Sequence, residues 1–245
     1  MRRGLLAGVG LALFLLAWQL IGQYQLAGLS WPPLTTVLAM LGDSDRWPLF
    51  GRAFAATLWA AALGYMIGFA FALGGAIATR LAPISRPGAD RLAALINSIP
   101  SIALAPVFIV FLSRESTPVA IAAVHAAFIL YVAATSGLAS ASAHHVDLLT
   151  VLGASRWRRL RSLELPAALP ELSSGAKLAL PAALIGAVIG EWFGAPRGLG
   201  VLIVNAMQNF QIPLLWSAVV LIAGSSLVLY FVFTLIERAC YARFT

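Results

Sequence analysis

A chain of 245 residues that is 61% hydrophobic and only 10% charged is not a soluble globular protein, in which about 25% of residues are charged. Its mean hydropathy of +0.91 comes from long apolar runs, not from the every-second-residue alternation of a membrane β-barrel, so the runs read as helices. The net charge of +7 invites a nucleic-acid reading that the placement of the charges makes unnecessary, and Cys240, the only cysteine, excludes an internal disulfide.

Met1-Arg2-Arg3 precedes a first apolar run, 4–21. The run is long for a signal peptide and no clear small-x-small cleavage site follows, so it reads as a first transmembrane helix; whether it is retained or cleaved stays open. Trp31-Pro32-Pro33 breaks any helix. Leu34, Val37, Leu38 and Leu41 then recur at helical spacing until Gly42-Asp43, which predicts a short amphipathic helix on the outer surface. Trp31 and Trp47 suit interfacial anchoring.

The second span is expected at 54–78, with Gly64-x-x-x-Gly68 and Gly74-Gly75 available for close helix packing, although such spacings also arise by chance in a Gly- and Ala-rich span. A short polar loop leads to a third span, 92–112, interrupted by Asn97-Ser98-Ile99-Pro100-Ser101 and by Pro106. Carbonyls freed by those prolines need neighbouring helices or a water-lined cavity. The fourth span is expected at 118–137 and contains His125, which reads best as an interhelical histidine. The fifth, 171–193, is entered through Pro166 and Pro170 and carries Pro181. A Gly- and Pro-rich outer re-entry region, 194–213, leads to the sixth, 214–235.

Six spans place both termini on one side. Arg46, Arg52, Arg114 and Arg197 fall on the outer side, and the rest of the 16 basic residues fall on the inner side. That asymmetry puts both termini in the cytoplasm and accounts for most of the basic balance without nucleic acid.

The longest stretch that cannot sit in lipid is 144–170, with Arg156, Arg158, Arg159 and Arg161 inside six residues. Val146 to Leu152 is a short apolar helix candidate bearing Asp147; Gly153 suits its C-terminal stop and Ser155 can cap a second short helix running toward Leu163. Trp157, Leu160 and Leu163 then share one face, and Leu165-Pro166 starts the next span. The arginines alone suit anionic headgroups, at about 1 kcal/mol each. Leu148, Leu149, Val151 and Leu152 need something further to bury against, a protein partner or lipid.

This loop resembles the cytoplasmic EAA loop of permease subunits in ABC importers, in which Glu-Ala-Ala, three residues, Gly and nine residues precede Ile-x-Leu-Pro. Here Gly153 is followed nine residues later by Leu163-Glu164-Leu165-Pro166, while Asp147-Leu148-Leu149 stands where Glu-Ala-Ala is expected. Trp31-Pro32-Pro33, Ile99-Pro100-Ser101-Ile102-Ala103-Leu104-Ala105-Pro106, Gly153-Ala154-Ser155-Arg156-Trp157, Leu165-Pro166-Ala167-Ala168-Leu169-Pro170 and Gly198-Leu199-Gly200 resemble the nitrate/sulfonate/taurine group of such permeases. The resemblance implies an all-α membrane protein of the type I ABC importer fold, a single permease domain over 1–245, in the bacterial inner membrane. It implies a second permease copy, two cytoplasmic ATPase subunits, and an extracytoplasmic binding protein delivering a small organic anion such as a sulfonate, taurine or nitrate; thiamine-precursor-like heterocycles stay open. It also implies that Asp147, Leu148, Leu149, Leu152, Gly153, Ala154, Arg156, Trp157, Leu165 and Pro166 couple the permease to its ATPase. No Gly-x-x-x-x-Gly-Lys-[Ser/Thr] phosphate loop occurs, so ATP and Mg belong to the partner, and this chain is expected to bind no cofactor or metal and to catalyse no reaction itself.

Asn97, Ser98 and Ser101 are pathway candidates because their amide and hydroxyls can bind polar substrate groups; helix–helix hydrogen bonds are the other reading. Glu191, an acid near the outer end of a span, either faces the pathway or reaches the interface. An ion-coupled secondary carrier would need more buried charge than the spans show. An intramembrane hydrolase would need a nucleophile, base and oxyanion site in one pocket; no glycine-serine-glycine elbow and no His-Glu-x-x-His motif occurs.

Overall fold

The computed structural model describes residues 2–244, and the basic start Met1-Arg2-Arg3 lies outside the residues described in side-chain detail. The described chain is helical: α1 (Arg2–Gln23), α2 (Leu34–Gly42), α3 (Trp47–Leu81), α4 (Arg86–Ser98), α5 (Ser101–Phe111), α6 (Thr117–Ala139), α7 (Ala143–Val151), α8 (Arg156–Arg159), a π-helical turn (Leu160–Glu164), α9 (Leu165–Glu191), α10 (Leu199–Gln208) and α11 (Ile212–Phe244).

Four stretches among the described residues are long and apolar enough to cross a membrane: Ser44–Leu81, Thr117–Ala139, Arg156–Glu191 and Ile212–Arg243. The third expected span is not one helix. Pro83–Ser98 and Ser101–Phe111 meet at 98°, a broken span or a re-entrant loop. The break falls at Ile99, held extended at ψ 125° by the proline that follows it. Pro106, in contrast, is carried inside α5. α1 runs over Arg2–Gln23, 22 residues, which is the length of a crossing; Gly8–Gln23 is its apolar part among the residues described in full. Of the six expected spans, the second, fourth, fifth and sixth are thus long apolar helices and the third is a bent pair, while α1 covers the first.

The centre of the bundle is α6, packed along α3 on one side and α9 on the other. With lipid tails as apolar as leucine, such helices associate by close van der Waals fit, and small residues set how near they come. Gly64 and Gly68 use that fit: a Cβ added at Gly64 would lie 2.5 Å from Ala122 Cβ, and one at Gly68 2.6 Å from the Ala123 carbonyl oxygen. On α9, a Cβ at Gly186 would lie 2.8 Å from Ala122 Cα, and one at Gly190 2.5 Å from Pro118 Cα. Gly74 faces open space and plays no part in this seam. The buried core between these helices is accordingly built from alanines, among them Ala60, Ala122, Ala126, Ala179 and Ala183.

Helix α11 packs on α9, and α10 fits between α9 and α11. Lys177 on α9 is paired with Glu237 on α11 at 2.5 Å, and Ser174 donates to the same carboxylate at 2.7 Å. Trp31 packs against other rings instead of standing free. It joins Trp18 and Trp216 in a cluster with ring centroids 4.7–5.3 Å apart, which ties α1 and the start of α2 to α11. Trp47 remains 61% exposed, as an anchor would be.

Candidate functional site

The segment 143–170 is built from local signals. α7 ends in a Schellman motif: Ala154 N–H donates to the Leu149 carbonyl at 2.9 Å and Gly153 N–H to that of Thr150 at 3.0 Å. The motif requires a left-handed residue, and Gly153 sits at φ +75°. Ser155 Oγ then accepts the Arg158 N–H and caps α8. The two short helices hinged at a glycine are therefore present.

The second of them does not stop before the next span. α8, the π turn and α9 run on as one helical stretch through Pro166. A proline inside a helix lacks an N–H and crowds the carbonyl four residues earlier; the wider π turn precedes it directly, closed by Leu165 N–H donating to the Leu160 carbonyl. α8 and α9 are thus parts of one continuous helical stretch, changed in pitch at the π turn.

The apolar side chains of this segment divide in two. Leu160 is fully buried and Leu163 half-buried, whereas Trp157 of the expected stripe stays 55% exposed. On α7, Val146 and Leu149 are half-buried, while Leu148, Val151 and Leu152 are exposed, Val151 at 86%. Asp147, Gly153 and Arg156 are exposed; Ala154, Leu165 and Pro166 are half-buried.

Two residues that sequence reasoning passed over hold the segment to the bundle. Glu164, 4% exposed, receives a two-pronged contact from Arg80 in the last turn of α3, Nε to Oε2 at 2.9 Å and Nη2 to Oε1 at 2.9 Å. Planar two-point pairing of this kind fixes orientation as well as distance. Arg156 Nη1 also donates to the Leu81 carbonyl at 3.0 Å, at the end of the same helix. A cavity of about 190 Å³ lies in this angle, lined by Arg80, Leu81, Pro83, Val146, Arg156, Arg159 and Glu164.

The pathway candidates do not converge. Asn97 and Ser98 lie exposed at the α4–α5 break, and Ser98 Oγ donates back to the Leu95 carbonyl at 2.7 Å. Ser101 is hydrogen-bonded to His125, which makes both of them part of an α5–α6 contact. Glu191 lies at the other end of α9 and is 2% exposed, so it does not reach the interface. Its Oε2 accepts the Gly200 N–H at 2.7 Å, and Thr57 Oγ1 on α3 accepts the neighbouring Leu199 N–H at 2.8 Å. Two of the otherwise unsatisfied donors at the start of α10 are thus capped from two other helices. Gly198 and Gly200 make room: a Cβ at Gly198 would stand 2.2 Å from the Glu191 carboxyl carbon. Glu191 also borders a cavity of about 860 Å³ whose charged lining residues include Arg52, Glu115 and Arg197. Among the described residues, no group of three or more His, Cys, Asp or Glu could hold a metal ion.

The described helices include four long and apolar enough to cross a membrane, with a hinged basic segment tied to α3 and continuous with α9. The family model for the binding-protein-dependent transport system inner membrane component matches residues 64–245, and the chain belongs to that family of ABC importer permeases. It is 32% identical over 179 residues to a probable ABC transporter permease protein of Haemophilus influenzae, covering 71% of this chain and 72% of the relative. It is 33% identical to the riboflavin transport system permease RibX of Chloroflexus aurantiacus, covering 58% of this chain and 53% of that one. The putative aliphatic sulfonates permease SsuC of Bacillus subtilis is 26% identical, with 91% and 82% covered. In three dimensions the chain is similar to one in an inward-facing structure of the methionine ABC transporter MetNI, with a TM-score of 0.73 at 20% identity, covering 81% of this chain and 99% of that one. The fold is that of a type I importer permease, and the subunit is not itself an enzyme; ATP hydrolysis belongs to a separate partner.

Proposed function

We propose that this permease carries a small organic anion of the sulfonate or taurine kind, or nitrate, delivered by an extracytoplasmic binding protein. Two copies form the pathway and two cytoplasmic ATPase subunits, which hold the ATP and Mg, drive it. The chain is one permease domain in a bacterial inner membrane, with its termini and the 143–170 segment in the cytoplasm. The observation that carries the coupling role is the exposed apolar α7, held by its Gly153 hinge on a segment continuous with α9 and clasped to α3 through Arg80 and Glu164. ATPase closure moves α7, and the helical stretch behind it biases the bundle between two packings.

The anion reading is supported by the sulfonate permease relative; the 860 Å³ cavity, where Arg52 and Arg197 stand with Glu115 and Glu191, favours neither sign of charge. The riboflavin permease relative, more identical over a shorter stretch, favours a heterocyclic substrate as the second reading. Proteoliposomes containing permease, ATPase and binding protein separate the two. ATP-dependent uptake of taurine or an alkanesulfonate, unaffected by excess riboflavin, is the expected result; uptake of riboflavin alone would overturn the anion assignment.

A further inference from the structure

The cavity of about 860 Å³ is a cleft between α3 and α6 whose two ends differ. Trp59, Leu63 and Ile67 on α3 and Ala123 on α6 make its length apolar, and Arg52, Glu115 and Arg197 stand at its mouth. These three are exposed, and none of them makes an ion pair or a side-chain hydrogen bond among the described residues. Charges of both signs thus share one mouth without pairing. Glu191, which also borders the cavity, is buried and already caps α10.

The depth of the cleft follows from α6. Its 23 residues span about 34 Å, close to the ~30 Å of a hydrocarbon core, so its two ends lie near the two core boundaries. Thr117, its first residue, marks one boundary, and Glu115 lies just outside it. Gly64 on α3 meets Val119 and Ala122, and Gly68 meets Ala123 and Ala126, so the two helices run side by side in the same direction. That register brings Ala60 level with Thr117. Trp59, 71% exposed, therefore falls at the boundary, the level at which tryptophan is enriched. Leu63 and Ile67 fall inside the core. The Arg52 backbone lies about 12 Å beyond Ala60, at 1.5 Å per residue, and its long side chain lines the same cavity.

At about 30 Å³ for each water in the liquid, the cleft takes on the order of thirty heavy atoms, enough for a headgroup and one acyl chain. Guanidinium forks match phosphate oxygens, and a carboxylate accepts strong hydrogen bonds from an ammonium. An occupant that uses every part of the lining has a phosphate and an ammonium at one end and hydrocarbon at the other. We propose that the α3–α6 cleft binds a zwitterionic phospholipid with a primary amine. Its phosphate lies on Arg52 and Arg197, its ammonium on Glu115, and one acyl chain along Trp59, Leu63 and Ile67. The assignment does not depend on which solute the permease carries.

The test uses the purified full chain in phosphatidylcholine nanodiscs doped with a phosphatidylethanolamine whose amine is free and whose acyl chain carries a photoactivated carbene precursor. Labelled peptides are mapped, and unlabelled lipids compete. The expected result is labelling of α3 over 59–67 and of α6 over 119–123. Unlabelled phosphatidylethanolamine should suppress it about tenfold more effectively than phosphatidylcholine, whose trimethylammonium has no N–H to donate. Glu115→Gln, at an exposed and unpaired position, should abolish that advantage. The Arg52→Gln/Arg197→Gln double variant should lower labelling about tenfold. Arg46→Gln, whose arginine pairs with Asp43 away from the cavity, should change labelling by no more than about twofold. Absence of label from the cleft, equal competition by phosphatidylglycerol, or an ethanolamine advantage that survives Glu115→Gln overturns the proposal. Displacement of the label by soluble taurine or riboflavin would give the cleft to the transported solute and overturn it equally.

Discussion

At the scale of single residues, the interactions that hold the functional parts join positions far apart in the chain. Arg80 and Glu164 are 84 residues apart, and their pair ties α3 to the coupling segment. Glu164→Gln keeps the shape but removes the charge, and it is expected to cost about 1.5–3 kcal/mol of stability, the range for a hydrogen bond to a charged group. Thermal unfolding of Arg80→Gln, Glu164→Gln and the double variant checks this: the double variant should lose less than the sum of the singles. Glu191 behaves differently. Glu191→Gln retains a carbonyl oxygen for the Gly200 N–H and should leave the unfolding temperature close to that of the unsubstituted protein. Glu191→Ala removes the cap from α10 and should lower stability by about 0.5–2 kcal/mol, the usual cost of a lost N-terminal cap. Hydrogen exchange of the α10 amides would report the same loosening locally. Neither role could be read along the chain: Glu164 stood as the variable position of a Leu-x-Leu-Pro motif and Glu191 as an acid near a span end, and their partners are supplied by packing.

At the scale of elements, the legible features were those whose cause is local. The α7 stop at Gly153 and the α8 cap at Ser155 follow from one residue each, and the sequence showed both. Gly153→Val is expected to strain a left-handed backbone by about 1–2 kcal/mol without steric conflict, since a Cβ there meets nothing within 4 Å. It should cut coupled uptake while expression and detergent monodispersity hold; full uptake at equal protein level would contradict the lever. The Gly64/Gly68 seam was also visible as a spacing, but Gly74 carried the same signal and has no close neighbour. Gly64→Leu should therefore separate α3 from α6 and lower the unfolding temperature clearly, while Gly74→Leu in the same assay should not. The α4–α5 bend was half legible. Pro100 and Pro106 both announced an interruption, and only the fold decides that the first turns the chain by 98° while the second stays within a helix.

At the scale of the whole molecule, much of the apolar surface is left for something outside this chain. The most apolar stretch of α11 has none of its residues buried within the chain, and α4 and α5 expose Leu92, Leu95, Ile102, Val110 and Phe111. Lipid and a second permease copy are the expected covers. Leu148, Val151 and Leu152 pose a different case, because they lie on a short helix beside four arginines, beyond the membrane-spanning stretches. The central claim is that this helix docks on a cytoplasmic ATPase, and the most direct measurement is purification of the tagged chain from its native host in mild detergent, with mass spectrometry of what remains bound. The account predicts a soluble ATPase in stoichiometric amount, lost from a Leu148→Asp/Leu152→Asp variant that still purifies as a folded membrane protein. An ATPase retained undiminished by that variant, or a bare permease that transports in proteoliposomes without any ATPase, would contradict it.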